Sequence, residues 1–223
     1  LKPLLEVRRL GRMEYTAAHA LQQAQIAERL SIPDALGDLS FAAPDRLLLV
    51  EHEPVVTVGR SPRSEKKAEL EVSLRGTGCP VVEIERGGEA TWHGPGQLVA
   101  YPILYLAEGH RDLHAYLRKL EEVVIQTLAK LGIEGHRESG KTGVWIGAKK
   151  VASIGIAVRR WVTWHGASLN LDNDLETFRR FHPCGFDPDV MTRIADHVPS
   201  GEVPTMTNLE DLFEAAFREV FGQ

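Results

Sequence analysis

Cysteine is scarce: Cys79 and Cys184 are the two thiols in 223 residues. Two thiols make no disulfide framework, and such usage predicts a reducing, cytoplasmic setting. Long apolar runs are also missing. No stretch approaches the roughly 18 apolar residues of a membrane-spanning helix. The opening Leu1-Lys2-Pro3-Leu4-Leu5-Glu6 lacks the basic head, apolar stretch and small-residue cleavage site of a secretory signal. Basic residues are not in excess: 26 Lys and Arg stand against 31 Asp and Glu, a net charge of −5, which argues against a large nucleic-acid footprint. Neither phosphate-loop spacing occurs, G-x-x-x-x-G-K-[ST] or G-x-G-x-x-G between a strand and a helix, so no nucleotide cofactor is expected. Nine histidines are present, but His93, His165, His182 and His197 are scattered singly, without a C-x-x-C or H-E-x-x-H pair, and no metal site is expected.

What remains is a composition of 43 % hydrophobic and 26 % charged residues, ordinary for a globular protein with a sizeable core. There is no internal repeat, low-complexity tract or linker, so one domain over residues 1–223 is expected, as a monomer. Met13 to Leu30 reads as an amphipathic helix with Ala17, Leu21, Ala24 and Ile26 or Ala27 on its buried side. Arg46–Glu51, Val55–Gly59, Val81–Glu85 and Gln97–Leu104 read as strands. A second helix is predicted over Asp112–Leu131, capped by Asp112 and stopped by Gly132. Val144–Ile146, Val151–Val158 and Val162–Leu171 read as adjacent strands. A last helix is predicted to start near Thr207, with Thr207 and Glu210 as a capping box. The fold class is α/β of the α+β kind, mixed sheets flanked by helices.

Three segments carry unusual residues. Arg86-Gly87-Gly88-Glu89-Ala90-Thr91-Trp92-His93-Gly94-Pro95-Gly96-Gln97 packs four glycines and a proline between two strands. Such a run suits either a structural hairpin or a loop whose backbone amides hold a carbonyl. Cys184 lies in Phe181-His182-Pro183-Cys184-Gly185-Phe186, a turn-like setting that would present a thiol; Cys79, in Gly76-Thr77-Gly78-Cys79-Pro80, looks similar, and local context does not choose between them. Lys150 leads into the apolar stretch Val151-Ala152-Ser153-Ile154-Gly155. A lysine there is ordinarily exposed, yet a desolvated lysine beside a thiol would lower the thiol's pKa or act as a base.

Taken together these segments resemble the octanoyltransferases of lipoate biosynthesis, within the biotin and lipoate protein ligase catalytic-domain superfamily. The likeness rests on Arg86-Gly87-Gly88 with Thr91, on His93-Gly94-Pro95-Gly96-Gln97-Leu98 and on Tyr101-Pro102. It continues through Thr142-Gly143-Val144-Trp145, Lys150 with Ser153-Ile154-Gly155, and Trp164-His165-Gly166 with Leu169-Asn170, and ends on Pro183-Cys184-Gly185. Trp92 stands where that family more often has tyrosine. The resemblance implies Cys184 as an acyl-thioester nucleophile and Lys150 as its partner, and it leaves Cys79 outside the matched motifs. It also implies an acyl pocket lined by Arg86, Gly87, Gly88, Glu89, Ala90, Thr91, Trp92 and His93, by Ser153, Ile154 and Gly155, and by Gly166, Ala167 and Ser168. Val151, Ile154, Ile156 and Ala167 are expected to supply its apolar surface.

The implied donor is octanoyl-acyl carrier protein. The implied acceptors are lipoyl domains of 2-oxoacid dehydrogenases and the glycine cleavage H protein; no membrane or nucleic-acid partner is expected. An ATP-dependent lipoate or biotin ligase on the same fold, and an acyl-carrier thioesterase, are the alternatives. The basic pairs Lys66-Lys67, Lys149-Lys150, Arg159-Arg160 and Arg179-Arg180 are either solvated surface or a means of steering acidic partner domains.

Overall fold

The computed structural model describes residues 4–31, 43–60, 74, 76–180 and 187–222. Cys184, with its neighbours His182 and Pro183, lies outside the described residues, as do Lys66 and Lys67.

The chain runs β1 (Leu5–Met13), α1 (Tyr15–Leu30), β2 (Asp45–His52), β3 (Val55–Val58), β4 (Val81–Glu83), β5 (Ala90–His93) and β6 (Gln97–Ile103). It continues with α2 (Leu113–Ala129), β7 (Val144–Ile146), β8 (Lys149–Arg159), β9 (Val162–Asn170) and α3 (Met206–Phe221). Six strands form one sheet in the order β1-β2-β6-β9-β8-β7, and three form a second in the order β4-β3-β5. Among the described residues, only β1 with β2 runs parallel within the large sheet. That pair is joined through α1, as a parallel connection requires. The fold is therefore mixed α/β, two mixed sheets with three longer helices.

Strand periodicity assigns the two faces of the large sheet. Leu47 and Leu49 of β2, Leu98 and Ala100 of β6, and Ala167 and Leu169 of β9 point to the main core. There they meet Leu120, Val124 and Leu128 of α2 and Phe213 and Phe217 of α3. The alternate residues Leu48, Val50, Val99, Tyr101 and Trp164 point the other way, onto Ala18 and Ile26 of α1. All nine residues of β9 are buried, as befits a strand covered on both faces.

Asp112 caps α2 as its position predicts, accepting from the amides of His114 and Ala115 at 2.9 and 3.0 Å. Other local expectations are corrected. The cap of α3 is Thr205, which accepts from the Asn208 amide at 3.2 Å, so Thr207 lies inside the first turn rather than at its edge. The buried side of α1 carries Tyr15, Ala18, Gln22, Gln25, Ile26 and Arg29, while Ala17, Leu21, Ala24 and Ala27 face outward. Buried polar groups outweigh the apolar pattern here, and Arg29 and Gln22 reach partners from distant parts of the chain. Arg29 donates to Pro44 O at 2.7 Å and pairs with Asp45 at 3.1 Å, and the Gln22 side-chain oxygen accepts from the His165 amide at 3.0 Å. Strands β1 and β5 lie in stretches with no strand expected. The first carries four charged residues among nine, and the second sits inside the glycine-rich segment.

Candidate active site

The glycine-rich segment folds back over the α1 side of the large sheet. Arg86 is fixed in this position: its guanidinium donates to Thr57 O at 2.9 Å, to Thr57 Oγ1 at 3.0 Å and to Gly87 O at 3.1 Å. The Gly87 amide donates to Ile156 O at 3.0 Å, which lays the turn directly on β8. Gly155 permits that approach, because a Cβ there would lie 2.9 Å from Gly87 O and 3.0 Å from Arg86 Cδ.

Between this turn and the sheet lies a narrow cleft, part of it open to solvent. Its roof is Arg86, Gly87, Gly88, Thr91 and His93, with Tyr15 and Ile84; its floor is Ser153, Ile154 and Gly155 of β8, Gly166, Ala167 and Ser168 of β9, and Val99 and Tyr101 of β6. The floor is continuous because Ser153 pairs with Ser168, Gly155 with Gly166 and Val99 with Ser168 across the strands. Eleven of the residues expected to line an acyl pocket thus surround one cleft.

Three others do not line it. Strand β5 alternates, so Thr91 and His93 face the cleft while Ala90 and Trp92 face the opposite side, in a cluster with Val56, Phe178 and Met191. The Trp92 ring packs edge-on against Phe178 at 5.6 Å. Glu89 contributes its backbone, its carbonyl accepting from the Gly59 amide at 3.2 Å. Val151 and Ile156 likewise pack in or against the main core and not in the cleft. Tyr15, Ile84, Val99, Tyr101 and His165 line it without having been expected. His165 was within reach of sequence reading, since it adjoins Gly166; the others depend on tertiary placement.

The polar wall is built from neutral imidazoles. His93 Nδ1 donates to Gln97 Oε1 at 2.7 Å, and Gln97 in turn donates to Asn170 Oδ1 at 2.8 Å. Asn170 donates to Thr192 O at 2.8 Å, and the Thr192 amide donates to Lys150 O at 2.9 Å. A hydrogen-bonded path therefore connects the cleft to the β8 start. Burial pushes the His93 pKa down to about 3 and that of His52 to about 4. His52 donates through Nδ1 to Met13 O at 3.1 Å and accepts at Nε2 from the Tyr101 hydroxyl at 2.8 Å.

Lys150 is 2 % exposed, contrary to the ordinary surface role of a lysine at a strand start. It does not line the cleft; it stands three residues along β8 from Ser153, with its Nζ 5.2 Å from the centre of the Trp145 ring. Gly143 leaves room for it. With φ +131°, that residue could not carry a side chain without strain, and a Cβ would lie 2.6 Å from Lys150 Cε. The Gly143 amide is held by the buried Glu121 carboxylate at 3.1 Å. Lys150 also pairs with Met191, seven positions after Cys184 in the chain. Cys79 is half-buried, with Sγ 3.8 Å from Thr77 O, and packs beside the Trp92 cluster rather than facing the cleft.

Residues 25–218 match the lipoyl protein ligase A/B catalytic domain. The chain is 51 % identical over 176 residues to an octanoyltransferase of Geobacter sulfurreducens, spanning 79 % of this chain and 68 % of that one. It is 43 % identical over 213 residues to an octanoyltransferase of Thermosynechococcus vestitus, 96 % of this chain and 88 % of that one. Among solved structures, a lipoate-protein ligase A bound with ATP superposes with a TM-score of 0.74 at 16 % identity, covering 100 % of this chain and 86 % of that one. The biotin protein ligase of Aquifex aeolicus in complex with biotin and ATP superposes at 0.56 with 13 % identity, covering 97 % and 70 %. The structural likenesses establish the fold, the sequence relationships establish descent, and the chain belongs to the lipoyl protein ligase A/B catalytic domain family.

Proposed function

We propose that this chain is a single cytoplasmic catalytic unit that moves an octanoyl group from octanoyl-acyl carrier protein to a lysine of a lipoyl domain, through a thioester on Cys184. The class of enzyme is acyltransferase, as in its curated octanoyltransferase relatives. The observation that carries the finer reading is the burial of Lys150 in β-pairing with Met191, a residue seven positions after Cys184 in the sequence. The cleft roofed by Arg86–Gly88 and floored by Ser153–Gly155 and Gly166–Ser168 is the acyl site in this reading.

In the first half-reaction the Cys184 thiol gives its proton to the Lys150 amine. The thiolate attacks the donor carbonyl, and the bond to the carrier sulfur breaks. The departing carrier thiolate takes the proton back from Lys150, which leaves an acyl-enzyme and a neutral amine. In the second, the acceptor lysine's amine attacks, Lys150 removes its proton, and the Cys184 thiolate leaves and is reprotonated. Exchange between sulfurs is nearly balanced in energy, and transfer to nitrogen ends in a stable amide, so no nucleotide is consumed. Backbone amides of the glycine-rich turn stabilise the oxyanion.

Intact-mass measurement after mixing with octanoyl carrier protein tests this directly. Wild type is expected to gain one octanoyl group and lose it to added lipoyl domain, whereas Cys184→Ala gains none. An adduct that persists in Cys184→Ala would refute the nucleophile. Activity with free octanoate and ATP, and none with the acyl carrier, would instead identify a ligase.

A further inference from the structure

Beside the cleft, three side chains from separate elements converge: His19 of α1, Glu85 next to Arg86, and His165 of β9. The geometry points to a binding site for a zinc-like divalent cation formed by His19 Nε2, Glu85 Oε2 and His165 Nε2, independent of the proposed acyl-transfer chemistry.

The distances suit a common metal centre. His19 Nε2 is 3.2 Å and His165 Nε2 is 3.5 Å from Glu85 Oε2, and the three ligand atoms lie within 4.8 Å of one another. A tetrahedral zinc with bonds near 2.0–2.1 Å places its ligand atoms about 3.3 Å apart. Both carboxylate–imidazole separations bracket that value before any ion pulls them together.

His165 supplies a second, separate reason. The residue is 2 % exposed, and its buried Nε2, 3.5 Å from Glu85 Oε2, makes no well-aligned hydrogen bond. A buried ring nitrogen in that condition ordinarily costs stability and calls for a partner. The ring is fixed towards the site: His165 holds φ +56°, with its amide bound by the Gln22 side chain. The His19 ring stacks on it at 5.7 Å and 9°.

The chemistry selects the ion. Two imidazoles and one carboxylate with an open fourth position form a ligand set suited to zinc and its neighbours, whereas magnesium and calcium prefer oxygen ligands. Arg60 and Arg159 line the groove on which Glu85 opens, so a hard cation held by charge alone is disfavoured there. The contacts that His19 Nε2 makes with Glu85 Oε2 and Gln23 Nε2, each at 3.2 Å, would yield as its proton moves to Nδ1 and the ion takes the Nε2 lone pair. A bound ion would tie α1 to the glycine-rich turn and to β9, three elements that line the cleft.

The test uses zinc and the full chain in a Cys184→Ser background, to remove thiol binding. Equilibrium dialysis and X-ray absorption are expected to find an ion with two imidazole nitrogens and a carboxylate oxygen, and zinc is expected to raise Tm where magnesium does not. His19→Ala and Glu85→Gln change part-exposed side chains, and circular dichroism verifies their folds. Each is expected to weaken zinc binding by at least the roughly 10- to 100-fold that loss of an outer-shell partner costs, and to abolish the Tm shift. Zinc affinity and Tm shift unchanged in both variants, or no zinc retained at micromolar free concentration, would overturn the site.

Discussion

At the scale of single residues, the site depends on space withheld as much as on groups supplied. Gly143 leaves the place that Lys150 fills, and Gly155 lets the Arg86 turn lie on the sheet. Gly143→Ala would set a methyl 2.5 Å from Ala152 O and 2.6 Å from Lys150 Cε, at a φ hostile to side chains. The lysine must then move. A displacement of about 1 Å costs on the order of 100-fold in rate when a reacting group is misplaced. Single-turnover formation of the acyl-enzyme is therefore expected to slow by about that factor, with donor affinity little changed. An unaltered rate in a folded Gly143→Ala protein would remove Lys150 from the mechanism. Trp92 illustrates a different residue-scale lesson. Its neighbours in sequence belong to the cleft, yet the alternation of β5 turns it to the far side.

At the scale of elements, α1 is held by charge where its sequence suggests an alanine and leucine stripe. Arg29 and Asp45 are 1 % and 6 % exposed and lie 3.1 Å apart, with Asp45 also accepting from the Tyr105 amide. Burial works against the charge on both, lowering the Arg29 pKa and raising that of Asp45, while their mutual attraction opposes it. Removing one partner strands the other: Asp45→Asn is expected to destabilise the fold by about 3–5 kcal/mol. Replacing both with apolar residues of similar size is expected to cost much less. Urea unfolding of the single and double variants checks this, and equal losses would deny the coupling. The same helix shows how far sequence reading extends. Helix α2 was legible because leucines and valines recur on one side and Asp112 stands at its start; β6 was legible because its residues after Gln97 form an unbroken apolar run, and β8 and β9 because valine, isoleucine and other apolar residues recur along them. Helix α1 was legible as a helix but not as a surface, because Gln22 and Arg29 are buried for partners distant in sequence. The residues around the cleft were legible through the family resemblance, which marked Arg86, Ser153 and Gly166, and not through local pattern. Tyr15, Val99 and Tyr101 were not, since nothing local marks a core residue as the wall of a pocket.

At the scale of the whole molecule, neutral histidines occupy the seam between α1, the small sheet and the large one. His52 lies edge-on to His93 at 5.9 Å, and Tyr15 stacks on His93 at 6.3 Å. Burial holds His52 unprotonated down to about pH 4 and His93 to about pH 3, whereas an unfolded histidine takes up its proton near pH 6.5. Between those limits the unfolded chain binds more protons than the folded one, so acid favours unfolding. Each histidine contributes nothing above the unfolded value. Below it, stability falls by about 1.4 kcal/mol per pH unit for each fully protonating group. Urea unfolding measured from about pH 7.5 to about pH 4.5 is expected to show little contribution from these groups above pH 6.5 and a steep decline beneath it. His52→Asn keeps a side chain able to donate to Met13 O and accept from Tyr101 while removing the titration, so the acid slope is expected to lessen by up to about 1.4 kcal/mol per pH unit. A slope identical to wild type would mean that His52 does not remain neutral in the folded seam. The seam would then have to accommodate a cation beside His93, against the desolvation that burial imposes on both rings.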